Sequence, residues 1–223
     1  MRARLSVVMP TLNAQEGLAR SLPALAEGLE AGLIRELVIS DGGSQDDTRR
    51  IADAAGACWI DGPASRGGQL RRGADAAQGE WLLFLHADTV LPAGWGAVLM
   101  SQITRGRPAA FRLRFDAGGI GAGLVAGWAN LRSRLFGLPY GDQALLISRR
   151  DYDAVGGYAD IPLMEDVAMA RALRGRIDLL PQHVTTSAAR YQRDGWLRRG
   201  GRNLLLLLQF LAGADPSSLA RRY

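Results

Sequence analysis

The chain has 223 residues, of which 48% are hydrophobic and 22% charged, a composition typical of one folded α/β domain with a sizeable core. The single cysteine, Cys58, excludes an internal disulfide and, together with only two histidines, argues against a structural zinc site. All basic residues are arginines, so a Walker A loop and a lysine Schiff base are excluded as well.

The first half of the chain alternates short apolar runs with longer amphipathic stretches, which is the pattern of β-α-β units around a parallel sheet. We predict strands over residues 4–10, 36–40, 57–61 and 80–88, and helices over residues 14–31, 46–55 and 69–77. The first helix is predicted from leucines that recur on one face, at positions 18, 22, 25 and 29. These four strands form a compact nucleotide-binding half.

The second half is less regular, with strands predicted over residues 109–115 and 143–148 and helices over residues 163–173 and 196–211. Between them, Gly119, Gly123 and Gly127 recur at helical spacing, which favours close helix packing at least as much as a mobile loop. We find no internal repeat and no linker. We therefore predict a single domain over residues 1–223, with a regular first half at about 1–105 and a less regular second half at about 106–223.

The net charge of +5 is concentrated after residue 183, where two acids face seven arginines: Arg190, Arg193, Arg198, Arg199, Arg202, Arg221 and Arg222. The predicted helix over 196–211 is therefore basic, and it also carries the leucine run 204–208. Two interpretations follow: the helix docks on a membrane surface or a lipid-linked acceptor, or its leucines cap the core. Few aromatic residues lie among these arginines, so we expect no nucleic-acid partner.

Location follows from two further features of the sequence. Met1 leads directly into an apolar strand, so we expect no signal peptide. The most apolar run, residues 204–212, is shorter than the roughly 20 apolar residues that span a bilayer. We expect a cytoplasmic protein, with peripheral contact at the inner face of the membrane as the alternative that the basic tail leaves open.

Polar residues follow three of the predicted strands, at positions 11–13 (TLN), 41–44 (DGGS) and 86–88 (HAD). Each group alone is typical of an ordinary turn between two elements. Ligands of open α/β sheets collect beyond the carboxyl ends of the strands, so three such groups at one edge favour a ligand site. The first turn lacks G-x-G-x-x-G, which disfavours a dinucleotide-binding dehydrogenase.

Four segments, VVMPTLN, VISDGGSQDDT, WLLFLHADT and GGYADIPLMEDV, occur in an order that resembles family 2 glycosyltransferases with the GT-A fold. The resemblance covers residues 4–174, and the later TSAARY segment is similar to a small bacterial subgroup of that family. D-G-x-S alone is a weak signal, whereas four segments in register are a strong one. The implied fold is α/β, a mainly parallel central sheet flanked by helices, with a Rossmann-like nucleotide-binding half and an acceptor half.

The resemblance implies an inverting transfer of a sugar from a nucleotide diphosphate sugar, with a UDP-sugar favoured, to a hydroxyl acceptor. In it, the Asp41 carboxylate would accept hydrogen bonds from the nucleobase or the ribose. The residues that would bind the nucleotide sugar are Pro10, Thr11, Asn13, Glu16, Asp41, Gly42, Arg66, Gln69 and Ala87.

The resemblance also implies a Mn²⁺ or Mg²⁺ ion bridging the diphosphate, with Asp88 as its hard oxygen ligand. This chain departs from the family's D-x-D motif, because the segment is His86-Ala87-Asp88 and only one carboxylate remains. His86 is either the second metal ligand or a histidine of the core.

The acid pair Glu165-Asp166 opens a predicted helix, where acids also favour the helix dipole. By resemblance, this pair supplies the catalytic base that deprotonates the acceptor hydroxyl: Asp166 matches the usual base position, and Glu165 is the adjacent catalytic candidate. Gly141, Asp142 and Gln143 would contact the acceptor or form a structural turn. Two other functions remain open: a nucleotidyltransferase-like enzyme, although its usual lysine loop is absent, and a basic membrane- or nucleic-acid-binding module.

Overall fold

The computed structural model describes residues 3–173 and 175–222; Arg174, at the end of the resemblance, and both extreme ends of the predicted domain lie outside the described residues. The strands are β1 (Leu5–Thr11), β2 (Ile34–Asp41), β3 (Cys58–Asp61), β4 (Trp81–Phe84), β5 (Thr89–Val90), β6 (Ala109–Phe115), β7 (Leu145–Ser148) and β8 (Asp178–Thr186). The helices are α1 (Gln15–Ser21), α2 (Ala26–Glu30), α3 (Thr48–Ala54), α4 (Arg66–Ala76), α5 (Trp95–Arg105), α6 (Ile120–Phe136), α7 (Arg149–Ala154), α8 (Glu165–Ala172), α9 (Ala189–Asp194), α10 (Trp196–Leu211) and α11 (Pro216–Ala220), with 3-10 turns at Leu22–Leu25 and Gly141–Gln143.

The strands form one sheet in the order β3-β2-β1-β4-β7-β6-β8-β5. The first four are parallel, as predicted. Strand β7 then runs antiparallel to β4 and β6, β8 is parallel to β6, and β5 is antiparallel to β8. The sheet is therefore mixed. Its two predicted halves also interleave, because β5 belongs to the first half of the chain but pairs with the last strand.

Helices cover both faces of the sheet, so β1 is buried on both sides. Val7 and Met9 point into a core shared with α1, α3, α5 and α6, whereas Val8 points into a core shared with α4, α7 and α8. A third cluster joins α8 to α10 and α11 through buried residues that include Leu206 and Leu207. The site lies above this framework, beyond the carboxyl ends of the parallel strands.

The predicted helix over residues 14–31 is not continuous. It is divided into α1, the 3-10 turn Leu22–Leu25 and α2. Pro23 lies in the turn, and proline has no backbone N–H to complete an α-helical hydrogen bond. The leucine periodicity predicted the buried face correctly for Leu18 and Leu25 but not for Leu29, which is exposed.

The glycine-rich segment is helical, since α6 begins directly after Gly119. Close packing, one of the two interpretations of this spacing, is not found at Gly119, Gly123 or Gly127, because nothing lies within 4 Å of a Cβ placed on these residues. The close approach occurs at Gly121, where a Cβ would lie 2.7 Å from the Trp196 ring.

The structure contains elements that the sequence did not predict, chiefly α5 and β8. In β8, Leu180 and Val184 are buried, but Pro181, Gln182 and His183 interrupt the apolar pattern between them. The predicted strand 80–88 is also shorter than expected, because it ends at Phe84 and the chain turns before β5.

Among the described residues, no helix combines the length and the apolar character needed to cross a bilayer.

Candidate functional site

Two adjoining clefts open at the carboxyl edge of the parallel strands. The larger has a volume of about 750 Å³ and is bounded by the loop after β1, the start of α4 and the loop after β4. The smaller, of about 120 Å³, lies between β6, the turn before β7, the start of α8 and the inner side of α10. Both clefts are lined by Arg66, His86, Asp88, Ser187 and Arg190. A ligand group at this junction would face both clefts.

Most of the residues predicted to bind the nucleotide sugar lie on the wall of the larger cleft: Pro10, Thr11, Asn13, Glu16, Arg66, Gln69 and Ala87. Asp41 and Gly42 are not among the lining residues. The Gln69 amide is held behind the wall, since its Nε2 donates to the Thr11 and Ser40 carbonyls at 2.6 and 3.0 Å.

Asp41 lies behind the cleft rather than on it, with 1% of its surface exposed. Its carboxylate accepts hydrogen bonds from the Thr11 hydroxyl at 2.7 Å, the Gly43 N–H at 2.8 Å, and both the N–H and the hydroxyl of Ser44 at 2.6 Å. Burial alone would raise the pKa of Asp41, but these donors hold it below its usual range. Asp41 therefore fixes the loop after β2, and direct contact with a nucleotide stays a prediction.

The loops after β1 and β2 are bound to each other. The Asn13 side chain accepts a hydrogen bond from the Gln45 N–H at 2.9 Å, and the Asn13 N–H donates to Ser44 Oγ at 2.7 Å. Asn13 adopts a φ of 49°, a left-handed conformation that asparagine tolerates better than most residues. Gly17 brings α1 against the loop after β4, because a Cβ there would lie 2.9 Å from the Ala87 carbonyl oxygen.

Arg66 is the first residue of α4, whose N-cap is Ser65. Two glycines follow, and they let α4 approach the segment before α8: a Cβ on Gly67 would lie 2.0 Å from the Ala159 carbonyl oxygen. Without these glycines the two elements would have to separate. The local sequence Arg-Gly-Gly thus brings an arginine from the nucleotide half toward the acid pair of the acceptor half.

The two acids of that pair occupy different environments. Glu165 is 1% exposed, lines neither cleft, and lies 3.6 Å from Arg66 between Oε1 and Nε. Burial raises the pKa of Glu165 to about 8; Asp166 adds to the rise and Arg66 partly offsets it. Asp166 lines the smaller cleft, where its Oδ2 accepts a hydrogen bond from the Gly141 N–H at 2.9 Å. Of the two predicted catalytic acids, only Asp166 can meet a ligand there.

His86 is packed against the turn before β7, since a Cβ on Gly141 would lie 2.4 Å from its Nε2. Within the described part of the chain, that nitrogen has no hydrogen-bond partner. Burial, together with the nearby charge of Arg66, lowers the pKa of His86 to about 4, so the ring is neutral at pH 7. With Nε2 turned to Gly141, His86 fits a histidine that supports the loop better than one that binds a metal through this atom.

Of the three predicted acceptor residues, two line the smaller cleft and one is buried away from it. Gly141 and Asp142 line the smaller cleft, and burial raises the pKa of Asp142 to about 6, partly offset by Arg132. Gln143 is fully buried and lines neither cleft. It accepts from Ser133 Oγ at 2.7 Å and donates to the Phe111 carbonyl at 2.9 Å, so it holds the turn rather than a ligand.

Asp88 is the residue best suited to a divalent cation, because its carboxylate is a hard ligand at the junction of the clefts. Residues 3–173 and 175–222 contain no group of three or more His, Cys, Asp or Glu side chains that could hold a metal ion by themselves. A divalent ion at Asp88 would therefore need most of its ligands from a bound molecule or from water.

Sequence reasoning missed several lining residues, above all Ser187 and Arg190, which reach both clefts. It also missed Arg199 and Asn203 in the smaller cleft. Ser187 directly follows the carboxyl end of β8, so the rule applied to the other strands would have found this segment had β8 been predicted.

A sequence-family model and several solved structures are similar to this chain. The sequence model described as "Glycosyl transferase family 2" matches residues 6–133. No curated protein sequence is significantly similar to the chain.

Solved structures resemble most of the fold. Glucosyl-3-phosphoglycerate synthase from Mycobacterium tuberculosis, in complex with Mn²⁺, UDP and glucosyl-3-phosphoglycerate, matches with a TM-score of 0.61 and 20% identity over 82% of this chain and 71% of that one. Residues 1–349 of S. aureus TarS, in complex with UDP-GlcNAc, match with a TM-score of 0.64 and 15% identity over 82% of this chain and 58% of that one. A mycobacterial protein matches with a TM-score of 0.59 and 21% identity, over 83% of this chain and 65% of that one.

This chain thus spans between 58% and 71% of the length of these structures. At such identities the likeness shows the fold alone, and that fold is the GT-A fold predicted from the sequence.

Proposed function

Because the chain belongs to glycosyl transferase family 2, we propose that it transfers a sugar from a nucleoside diphosphate sugar to a hydroxyl acceptor. The observation that carries this proposal is the junction of the two clefts. A nucleotide in the larger cleft would bring its sugar to Arg66, Asp88 and Arg190, where the smaller cleft and its acids begin.

The donor is proposed to be a UDP-sugar. UDP is bound in the glucosyl-3-phosphoglycerate synthase structure, and UDP-GlcNAc in the TarS structure. The guanidinium groups of Arg66 and Arg190 suit the oxygens of a diphosphate, because arginine donates in a planar fork. Asn13 and Glu16 line the same cleft and are proposed contacts of the nucleoside.

We propose that transfer inverts the anomeric carbon, with Asp166 as the base. Inversion requires a base on the face of the sugar opposite the departing diphosphate, and Asp166 lines only the smaller cleft, whereas Asp88 lines both. Asp166 would take the proton of the acceptor hydroxyl as its oxygen attacks the anomeric carbon and the bond to the diphosphate breaks. Glu165 would position Arg66 instead of contacting the acceptor.

A Mn²⁺ or Mg²⁺ ion is proposed at Asp88, where it would offset the charge that develops on the departing nucleoside diphosphate. Mn²⁺ is present in the glucosyl-3-phosphoglycerate synthase complex. Asp88 would hold the ion next to the diphosphate. The neutral ring of His86 would support the loop that carries Asp88.

The cellular setting we propose is the cytoplasm, with α10 at the inner face of the membrane.

Thermal unfolding of the protein with nucleoside diphosphates and their sugars, each with and without Mn²⁺, tests the donor site. A ligand present at a hundredfold its dissociation constant stabilises the folded state by about 2.7 kcal/mol. We expect the largest shift with uridine nucleotides and Mn²⁺. If no nucleoside diphosphate shifts the unfolding of the folded protein, the proposed function is wrong. The anomeric configuration of the product, measured by NMR, then tests inversion.

A further inference from the structure

Helices α6 and α10 lie side by side on the outside of the acceptor half. They approach closely at two glycines: a Cβ on Gly121 would lie 2.7 Å from the Trp196 ring, and a Cβ on Gly200 would lie 3.5 Å from Val125. Because little side-chain bulk separates the helices, their outward faces form one continuous surface.

The outward face of α6 is apolar. Five of its six exposed large apolar side chains recur at helical spacing and have between 41% and 85% of their surface accessible: Ile120, Leu124, Trp128, Leu131 and Leu135. Gly123 and Gly127 lie on the same face, with nothing within 4 Å of their Cβ positions. Arg134 is the single charged residue among the exposed positions of this helix. The face therefore has the composition of a core but faces solvent.

Helix α10 turns its polar side inward. Arg199 is buried and Asn203 is partly buried, and both line the smaller cleft. The outward side carries exposed leucines, with between 36% and 77% of their surface accessible: Leu197, Leu204, Leu205, Leu208 and Leu211. Within the run 204–208, Leu206 and Leu207 cap the core, as one of the two interpretations expected, whereas Leu204, Leu205 and Leu208 do not. Of the basic residues of this helix, Arg199 is buried and pairs with Asp194 at 2.6 Å, whereas Arg198 is exposed.

We call these ten apolar side chains the α6–α10 surface. Soluble monomers seldom expose contiguous apolar patches of this kind, so the surface calls for a partner. We propose that the α6–α10 surface docks the protein on an anionic lipid bilayer, with both helices lying in the plane of the interface.

The charges around the surface favour lipid over a second copy of the chain. Neither α6 nor α10 contains an acidic residue, whereas Arg134 and Arg198 are exposed beside the leucines. Arg221 and Arg222 are also exposed and follow α11, which packs against α10. Anionic headgroups complement such a rim. Two copies placed face to face would oppose arginine to arginine.

Docking rests on this surface alone. The consequence of docking for the acceptor also rests on the proposed function. Since the inner side of α10 lines the smaller cleft, an acceptor bound in that cleft would lie within about one helix diameter, 10 Å, of the lipid.

Flotation of the full chain with vesicles of phosphatidylcholine and phosphatidylglycerol tests the proposal without any assay of transfer. We expect the protein to float with anionic vesicles at low salt and less at high salt. Leu124→Gln and Leu208→Gln should each lower the partition coefficient by roughly tenfold or more, because a buried leucine contributes strongly to transfer from water. The matched control is Leu29→Gln, a leucine of α2 with 60% of its surface exposed, which should float like the wild type.

A second measurement does not depend on the folding of the leucine variants. Lipids brominated in their acyl chains should quench the fluorescence of Trp128. The quenching should therefore be stronger in the wild type than in Trp128→Phe. Absence of both flotation and quenching overturns the proposal, as does flotation that both leucine variants retain. A concentration-dependent dimer in sedimentation that Leu124→Gln abolishes, without vesicle binding, would assign the surface to a second copy and overturn it too.

Discussion

The Nε atom of Arg66 lies 3.6 Å from the Oε1 atom of Glu165, which joins the first residue of α4 to the first residue of α8. The contact connects the wall of the larger cleft to the helix that carries Asp166. Glu165 is buried beside Arg66, Asp166 and the Tyr158 hydroxyl, so the charge of this carboxyl is sensitive to pH near neutrality.

The first prediction concerns the pH dependence of stability. The pKa of Glu165 is about 8 in the folded protein and 4.5 as a reference for the unfolded chain. Between these values the folded state binds more protons, so the contribution of Glu165 to the free energy of unfolding falls as the pH rises. Glu165→Gln removes this fall, and the variant should gain stability relative to the wild type from pH 5 to pH 9 in urea unfolding. Glu30→Gln, at an exposed position, should show no such trend; equal trends would contradict the assignment.

The second prediction is that Asp166→Asn lowers the rate of transfer by about 10²–10⁴ while donor affinity is retained, because the amide cannot accept the proton. The carboxylate also accepts hydrogen bonds from two backbone groups, the N–H of Gly141 and of Val167, at 2.9 and 2.7 Å on different oxygens. Asparagine can keep only one of them, so a small loss of thermal stability should accompany the change. Rates and nucleotide affinity measured on the same folded sample separate the two effects. Full activity would remove Asp166 from the mechanism.

The third prediction is that Asp41→Ala destabilises the fold. Four donors from Thr11, Gly43 and Ser44 would lose their acceptor, and hydrogen bonds to a charged group are individually strong, so we expect a loss of about 3 kcal/mol in the free energy of unfolding. Ser44→Ala, which removes one hydroxyl donor, should cost about 1 kcal/mol. Unchanged stability combined with lost nucleotide affinity would instead support direct contact between Asp41 and the nucleotide.

The fourth prediction concerns the metal. Asp88→Asn should weaken UDP binding in the presence of Mn²⁺ by at least about tenfold and leave binding in EDTA almost unchanged, since the loss is in metal ligation. Titration calorimetry in both solutions measures this difference. Glu16→Gln, in the same cleft, should change affinity equally with and without Mn²⁺. If UDP binds the wild type equally well in both solutions, Asp88 is not a metal ligand for this donor.

Sequence patterns predicted the parallel strands and the gathering of residues 11–13 and 86–88 at one edge, because the carboxyl ends of parallel strands share that edge. They did not predict where Asp41 points. A strand pattern fixes which residue comes last, whereas the direction of its carboxylate depends on the donors that the next loop presents.

The orientation of α10 could not be predicted from the sequence either. Periodicity shows that leucines share a face, but which face is covered depends on neighbours distant in the chain. Here Leu206 and Leu207 meet α8, while Leu204, Leu205 and Leu208 meet none of the described elements closely enough to be buried.

The pairing of β5 with β8 has a consequence for how the protein forms during its synthesis. Strands β1 to β4 can pair as soon as they leave the ribosome, since each finds its neighbour among the others. Thr89 of β5 must wait for Thr186, 97 residues later. The loop with Asp88 is therefore anchored on both sides only near the end of translation. A nascent chain arrested before β8 should already resist proteolysis in its first strands while still failing to retain nucleotide.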